Sequence, residues 1–219
     1  MYEAVFEHLS ALFRRSHPTI SVSYSTTDFE KLIKVPGITH TGLFGDTVDA
    51  KMLDEHFEEY PNQTSVFIDA QINGQFSEDS AFLKVSTIFS ETSSPISLFK
   101  LFKGRELRLC NYKFHTNDVI DFLEKWISGD SHQNLEHLYL YSHVSLNIDR
   151  RAIIERFGLA RWPENSPYIF EFKTRMDRSK ENDRLVYDCR RCYQVQQAND
   201  HKLAALQVDV NYIRFFVFQ

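Results

Sequence analysis

The spacing with the most obvious chemistry in this chain is Cys189-x-x-Cys192. Such a pair is redox-active at the start of a helix, and two such pairs together can hold a zinc ion. Here the pair falls within LVYDCRRCYQV, whose alternating apolar residues predict a strand. The only other cysteine of the sequence is Cys110, so there is no second pair to complete a zinc site. An odd spacing on a strand sends two side chains to opposite faces. We therefore interpret both thiols as structural, one buried and one near an edge.

Three histidines, His132, His137 and His143, lie near each other in the sequence with Glu136 among them. Their spacings fit no helical or hairpin metal site, and the carboxylates of DEHFEEY belong on the polar face of a predicted helix. The chain has no Gly-rich phosphate loop, nucleophile elbow or dinucleotide fingerprint. We predict no catalytic residue, metal or cofactor. A hydrolytic site assembled in space from distant residues stays open as an alternative.

Aromatic and arginine side chains in predicted strands indicate protein recognition, because these residue types dominate the binding energy of many interfaces. Arg108, Tyr139 and Tyr141 alternate with leucines that face the core, so the three should point to the opposite, solvent-facing side. Phe67 shares this side unless both faces of its strand are covered. The predicted partner-binding residues are Arg108, Tyr139, Tyr141 and Phe67.

Short strands and helices alternate through the first part of the chain. Helical periodicity marks DAKMLDEHFEEY and TNDVIDFLEKWISG, where Thr116 or Asn117 can cap the second helix and Gly129 can end it. An alternation of strand, helix and strand favours parallel pairing of the two strands, with the helix crossing over one face of the sheet. The motif Leu107-x-Leu109 returns as Leu138-x-Leu140 at a spacing close to the longer leucine-rich repeats. The predicted strands are TISVSY, SVFIDA, LKVSTIF, ELRLC and HLYLYS.

The C-terminal part is mostly extended, with RRAIIERFG as a short helix before it. LVYDCRRCYQV, KLAALQVDV and IRFFVF predict successive strands, with a turn near Asn211. The predicted class is therefore α/β to α+β: a leucine-rich-repeat-like curved sheet with crossover helices, followed by an antiparallel β meander. We expect residues 1–160 to form the repeat-like region and residues 161–219 to pack on it as part of one structural unit.

Composition limits the partners. A chain of 219 residues with 42% hydrophobic content can bury a core without disulfides. Its net charge of -5 gives no general attraction to nucleic acid or to anionic lipid. The N-terminal MYEAVFEHLSALFRR predicts an amphipathic helix and lacks the apolar run of a secretory signal. We expect a cytoplasmic or nuclear protein that binds neither nucleic acid nor membrane.

One long segment also resembles a known family. The run LRLCNYKFHTNDVIDFLEKWISGDSHQNLEHLYLYSH is similar to the core of the nematode-type F-box-associated domain, type 2, and the tail LVYDCRRCYQVQQANDHKLAALQV is similar to that family's ending. VFEHLSALFRRS is similar to the helix that follows the F-box, so the resemblance covers nearly the whole chain. The residues that carry it best are Phe122, Leu123, Trp126, Gly129, Leu135, Leu138, Tyr187, Asp188 and Arg191.

The resemblance implies a non-enzymatic role as the substrate-recognition part of an F-box subunit of a cullin-type ubiquitin ligase. Its partner would be a target protein. Only residues 1–4 precede the helix that follows the F-box in the family, so we expect the F-box itself to be absent. The Skp-type adaptor and the cullin ligase would be partners only if an F-box is supplied. A stand-alone binding or scaffold domain unconnected to ubiquitination is the alternative.

Overall fold

The computed structural model describes residues 20–27, 37–144, 148–174 and 184–218. The predicted N-terminal helix lies outside these residues. The strands, numbered along the chain, are β1 (Ile20–Ser25), β2 (Ile38–Asp49), β3 (Ser65–Asn73), β4 (Thr87–Ser90), β5 (Glu106–Leu109), β6 (His137–Tyr141), β7 (Ile169–Lys173), β8 (Arg184–Asp188), β9 (Tyr193–Gln196), β10 (Leu203–Val208) and β11 (Tyr212–Val217). The helices are α1 (Ala50–Glu59), α2 (Ile96–Leu101), α3 (Thr116–Ser128) and α4 (Arg150–Phe157).

Nine strands form one mixed sheet in the order β1-β2-β3-β4-β5-β6-β11-β10-β9. The first six pair in parallel, each with the next strand along the chain. β9, β10 and β11 then form an antiparallel meander, and β11 joins it to β6. The prediction of a parallel α/β sheet followed by an antiparallel meander is confirmed. β7 and β8 form a separate antiparallel hairpin.

The helices cover one face of the large sheet, which we call the helix face. Alternate strand residues point toward it, including Ile68, Leu107 and Leu138, and their side chains are at most 1% exposed. The helices contribute apolar stripes to the same core cluster. Leu109 and Leu140 also lie in this core, as their alternation predicted.

The sequence of helix α3 accounts for its buried face and for the residue at its start. Val119, Phe122, Leu123 and Trp126 form its buried stripe. His115 caps its first turn in place of the predicted Thr116 or Asn117. Thr116 is engaged elsewhere, because its hydroxyl accepts a hydrogen bond from the backbone of Asp149 at 2.9 Å.

The run LVYDCRRCYQV is not one strand, and this prediction was wrong. The chain bends through a short 3₁₀ turn at Cys189–Arg191, so that β8 belongs to the hairpin and β9 to the large sheet. Asp188 drives the bend, since its carboxylate accepts the backbone N–H of Arg190 at 3.0 Å. Both thiols are buried, and the Cys189 thiol hydrogen-bonds Cys192, so they do not face opposite sides.

Candidate protein-docking face of the sheet

The face opposite the helices carries a line of side chains at one register level. Backbone pairing aligns Phe67 with Phe89, Phe89 with Arg108, and Arg108 with Tyr139. Tyr139 is in turn paired with Arg214. Because neighbouring strands hold side chains of one level side by side, these residues form a continuous row across five strands. We call this side of the sheet the front face.

At one end of the row, three phenylalanines form a connected apolar patch. The ring of Phe67 lies 5.2 Å from that of Phe89 and 5.5 Å from that of Phe44, measured between centroids. Phe44 is 43% exposed, and the other two rings are half-buried. A rigid aromatic patch open to solvent is the kind of surface that another protein can cover.

At the other end, Arg214 organises a group of tyrosines. Its guanidinium lies 5.1 Å from the centroid of the Tyr139 ring and 4.6 Å from that of Tyr212, which are cation–π distances. Tyr141 stacks against Tyr139 at 6.2 Å. Because these side chains hold one another in place, binding a partner would cost them little conformational entropy.

Arg108 lies in the centre of the row but is less free than the sequence predicted. Its side chain is 18% exposed, and its Nη2 atom is 2.6 Å from a carboxylate oxygen of Glu106 on the same strand. Its Nε atom donates a hydrogen bond to the same oxygen at 2.8 Å. Arg108 therefore links the surface row to a buried polar cluster at the amino-terminal ends of the strands.

That cluster holds the β7–β8 hairpin against the front face. Glu106 and His137 are each 1% exposed, although both point to the side that alternation predicts to be open. The Tyr187 hydroxyl lies 2.6 Å from Nε2 of His137, and Thr174 donates to Glu106 at 2.9 Å. Tyr187 and Phe172 also contact the His137 ring, each at 5.2 Å between centroids. The hairpin thus covers the amino-terminal ends of β5 and β6 on this face, together with Phe216 of β11.

Electrostatics in the cluster favour neutral His137 beside ionised Glu106. Burial lowers the pKa of His137 and outweighs the hydrogen bond to Glu106. Burial alone would raise the pKa of Glu106, but the hydrogen bond from His137 and the charge of Arg108 bring it below its ordinary value. Burial also raises the pKa of Tyr187, which keeps its phenol protonated. The phenol therefore donates to Nε2, and Nδ1 donates to Glu106.

The chain of hydrogen bonds from Tyr187 through His137 to Glu106 also resembles a catalytic triad, in which a nucleophile contacts a base that an acid orients. Both ring nitrogens of His137 are occupied by Tyr187 and Glu106, and the ring is covered by the hairpin. A substrate could reach these groups only if the hairpin moved away. The cluster instead joins the hairpin to the large sheet, and we call these residues the clamp: Glu106, His137, Thr174 and Tyr187.

The four residues predicted from the sequence to bind a partner lie together on the front face. Arg108 and Tyr139 are direct neighbours, Tyr141 follows on the same strand, and Phe67 lies two strands from Arg108. All four are half-buried. Sequence reasoning missed Phe44, Phe89, Tyr212 and Arg214. The last three also alternate with core residues in TIFS and YIRFFV, so the same period-two argument applied to every strand would have found them.

The residues that carry the family resemblance are mostly structural. Phe122, Leu123, Trp126, Leu135 and Leu138 are core residues, each no more than 3% exposed. Gly129 ends α3 with φ of 80°, and Tyr187 belongs to the clamp. Asp188 and Arg191 are exposed, and Asp188 pairs with Arg190.

The described residues contain no group of three or more His, Cys, Asp or Glu side chains arranged to hold a metal. In the same part of the chain, no helix has the length and apolar character needed to cross a bilayer. Comparison with protein families, curated proteins and solved structures finds no match for this chain.

Proposed function

We propose that this chain is a non-enzymatic protein-interaction module whose target lies against the front face. The observation that carries the proposal is the register row from Phe67 to Arg214, flanked by the exposed Phe44. Aromatic and arginine side chains are the residues that most often dominate binding energy. Here a hydrogen-bonded sheet holds them at fixed spacing, so little ordering is needed on binding.

The family resemblance makes the proposal more specific. We infer a domain related to the substrate-recognition part of F-box subunits of cullin-type ubiquitin ligases, with leucine-rich-repeat-like architecture. The sequential order of six parallel strands supports that architecture, because stacked repeats place each strand beside the next. The proposed location is the cytoplasm or nucleus, and association with a Skp-type adaptor would require an F-box.

Quantitative affinity purification from cells tests this function. The double variant Tyr139→Ala with Tyr141→Ala removes two rings from the front face. If each ring is a binding hot spot worth about 2 kcal/mol, recovery of the target falls at least about tenfold. The matched control, Arg151→Ala with Glu155→Ala, changes two exposed residues of α4 on the helix side and should leave recovery unchanged.

Mass spectrometry of the bound fractions reads out the result. A protein captured by wild type and by the control, but lost with the tyrosine variant, supports the proposal. An identical set of proteins from all three baits contradicts a docking role for these tyrosines. Thermal melts of the purified baits establish that the loss of binding is not a loss of folding.

A further inference from the structure

A second concave region lies at the amino-terminal edge of the sheet, away from the tyrosines of the front face. One cavity of about 630 Å³ opens between the hairpin and the end of β11. Five aromatic side chains line it: Trp162, Phe170, Phe172, Phe216 and Phe218. Phe170 lies 4.2 Å from Phe218 and Trp162 lies 5.1 Å from Phe218, between ring centroids. Phe170 and Phe172 belong to β7 of the hairpin and Phe216 belongs to β11, whereas Trp162 lies in the segment before the hairpin.

A second cavity, of about 810 Å³, adjoins the first and shares five lining residues with it: Arg105, Glu136, Leu203, Val217 and Phe218. The two therefore form one continuous groove. The second cavity is basic, since Lys84, Lys103 and Lys202 line it. The groove thus has an aromatic half and a cationic half.

Some of the charged side chains that line the groove form ion pairs with neighbouring side chains, and others do not. Glu136, the acidic residue shared by the two linings, is already held by two hydrogen bonds from Arg105. Lys202 is 3.4 Å from Asp200. Among the described residues, neither Lys84 nor Lys103 forms an ion pair, and both are exposed. The Lys103 ammonium donates a hydrogen bond to the backbone carbonyl of Glu78. The two linings together hold four cationic side chains, Lys84, Lys103, Lys202 and Arg105, and two carboxylates, Glu136 and Glu171. The groove therefore carries a net positive charge on a chain whose total is -5, and the local field favours an anion.

We propose that this groove binds an acidic peptide segment that carries one bulky apolar side chain. The apolar side chain enters the aromatic half, and the carboxylates lie against Lys84 and Lys103. An extended peptide fits because the two open cavities adjoin at their shared lining residues, and their combined size accommodates several residues. The site is separate from the proposed docking face, so either can fail without the other.

The test uses a fluorescein-labelled peptide of three glutamates followed by one leucine, flanked by glycines and serines. Two companion peptides replace the glutamates by serine or the leucine by alanine. Fluorescence anisotropy should show that the glutamate–leucine peptide binds at least about tenfold more tightly than either companion. Its affinity should fall as salt is raised, because exposed charges are screened.

Two variants separate the halves of the site. Lys84→Glu with Lys103→Glu should weaken binding at least about tenfold, whereas Lys51→Glu with Lys113→Glu makes the same charge change at exposed lysines outside the groove and should have little effect. Phe170→Ala should abolish the preference for leucine over alanine. Circular dichroism melts verify that every variant is folded.

Equal affinity for the glutamate and serine peptides would overturn the proposal, as would binding that survives the Lys84 and Lys103 reversal. A single-stranded DNA oligonucleotide serves as competitor. Displacement by that DNA at the same concentration as by unlabelled peptide would also overturn it, because the groove would then recognise negative charge alone.

Discussion

His56, His132 and His137 all lie in the protein interior, with ring environments that disfavour charge. Burial lowers the pKa of His56 and of His132 to about 4, and it lowers the pKa of His137 as well. His132 packs against the rings of Phe99 and Phe122. These residues could be assigned from the sequence only as surface or satisfied core groups, because nothing local distinguishes a buried histidine from an exposed one.

The buried histidines predict a pH dependence of stability. Below the ordinary histidine pKa of 6.5 the unfolded chain binds protons that the folded chain does not bind. The free energy of unfolding therefore decreases as the pH is lowered. Between about pH 6 and pH 4 the slope of the free energy of unfolding against pH should reach about 1.4 kcal/mol per pH unit for each buried histidine. Urea unfolding at a series of pH values measures it.

His132→Asn should reduce that slope by the share of one histidine, since asparagine does not titrate and tolerates the left-handed backbone at this position, where φ is 57°. The exposed His143→Asn is the matched control. A free energy of unfolding that stays constant from pH 7 to pH 4 would show that these rings are hydrated in the folded protein.

At the scale of elements, helix α3 illustrates what sequence patterns predict well. The spacing of Phe122 and Trp126 and the stop at Gly129 predicted its face and its end. The pattern failed where polar residues and glycine interrupt a strand: β2, the 12-residue strand Ile38–Asp49, was not predicted. Its neighbours on both sides supply the pairing that its own composition does not favour.

The two glycine caps offer a matched test of how elements are joined. Gly158 ends α4 with φ of 59°, and a Cβ there would meet no atom within 4 Å. Gly129 has φ of 80°, and its Cβ would lie 2.9 Å from Nδ2 of Asn199. That Nδ2 atom donates to the carbonyl of Ser128 at 2.8 Å and thereby fastens the end of α3 to the β9–β10 turn.

Gly158→Ala should therefore lower the free energy of unfolding by about 1 kcal/mol, the cost of left-handed backbone alone. Gly129→Ala adds displacement of Asn199 and should cost about 2–3 kcal/mol. Urea unfolding of both variants gives the comparison. Equal costs would mean that Asn199 does not fasten α3 to the turn.

At the scale of the molecule, the sequence patterns predicted a parallel sheet followed by an antiparallel meander, and they located five of the six parallel strands but missed β2. The place of the β7–β8 hairpin did not. Its strands have alternating patterns of their own, but nothing local shows that Tyr187 and Thr174 would meet His137 and Glu106 on another sheet. Glu106 and His137 alternate with core leucines and so belong to the side predicted to face solvent, whereas the hairpin covers both of them.

The central claim is that one face of the sheet is core and that the carboxyl-terminal half of the other is surface. Leu140 and Tyr141 are successive residues of β6 that point to the two sides, with Leu140 fully buried and Tyr141 half-buried. The most direct measurement is urea unfolding of Leu140→Ala and Tyr141→Ala side by side. Leu140→Ala should lower the free energy of unfolding by about 2–5 kcal/mol and Tyr141→Ala by about 1 kcal/mol or less. A loss for Tyr141→Ala as large as that for Leu140→Ala would place the tyrosine in a second core and contradict the docking face.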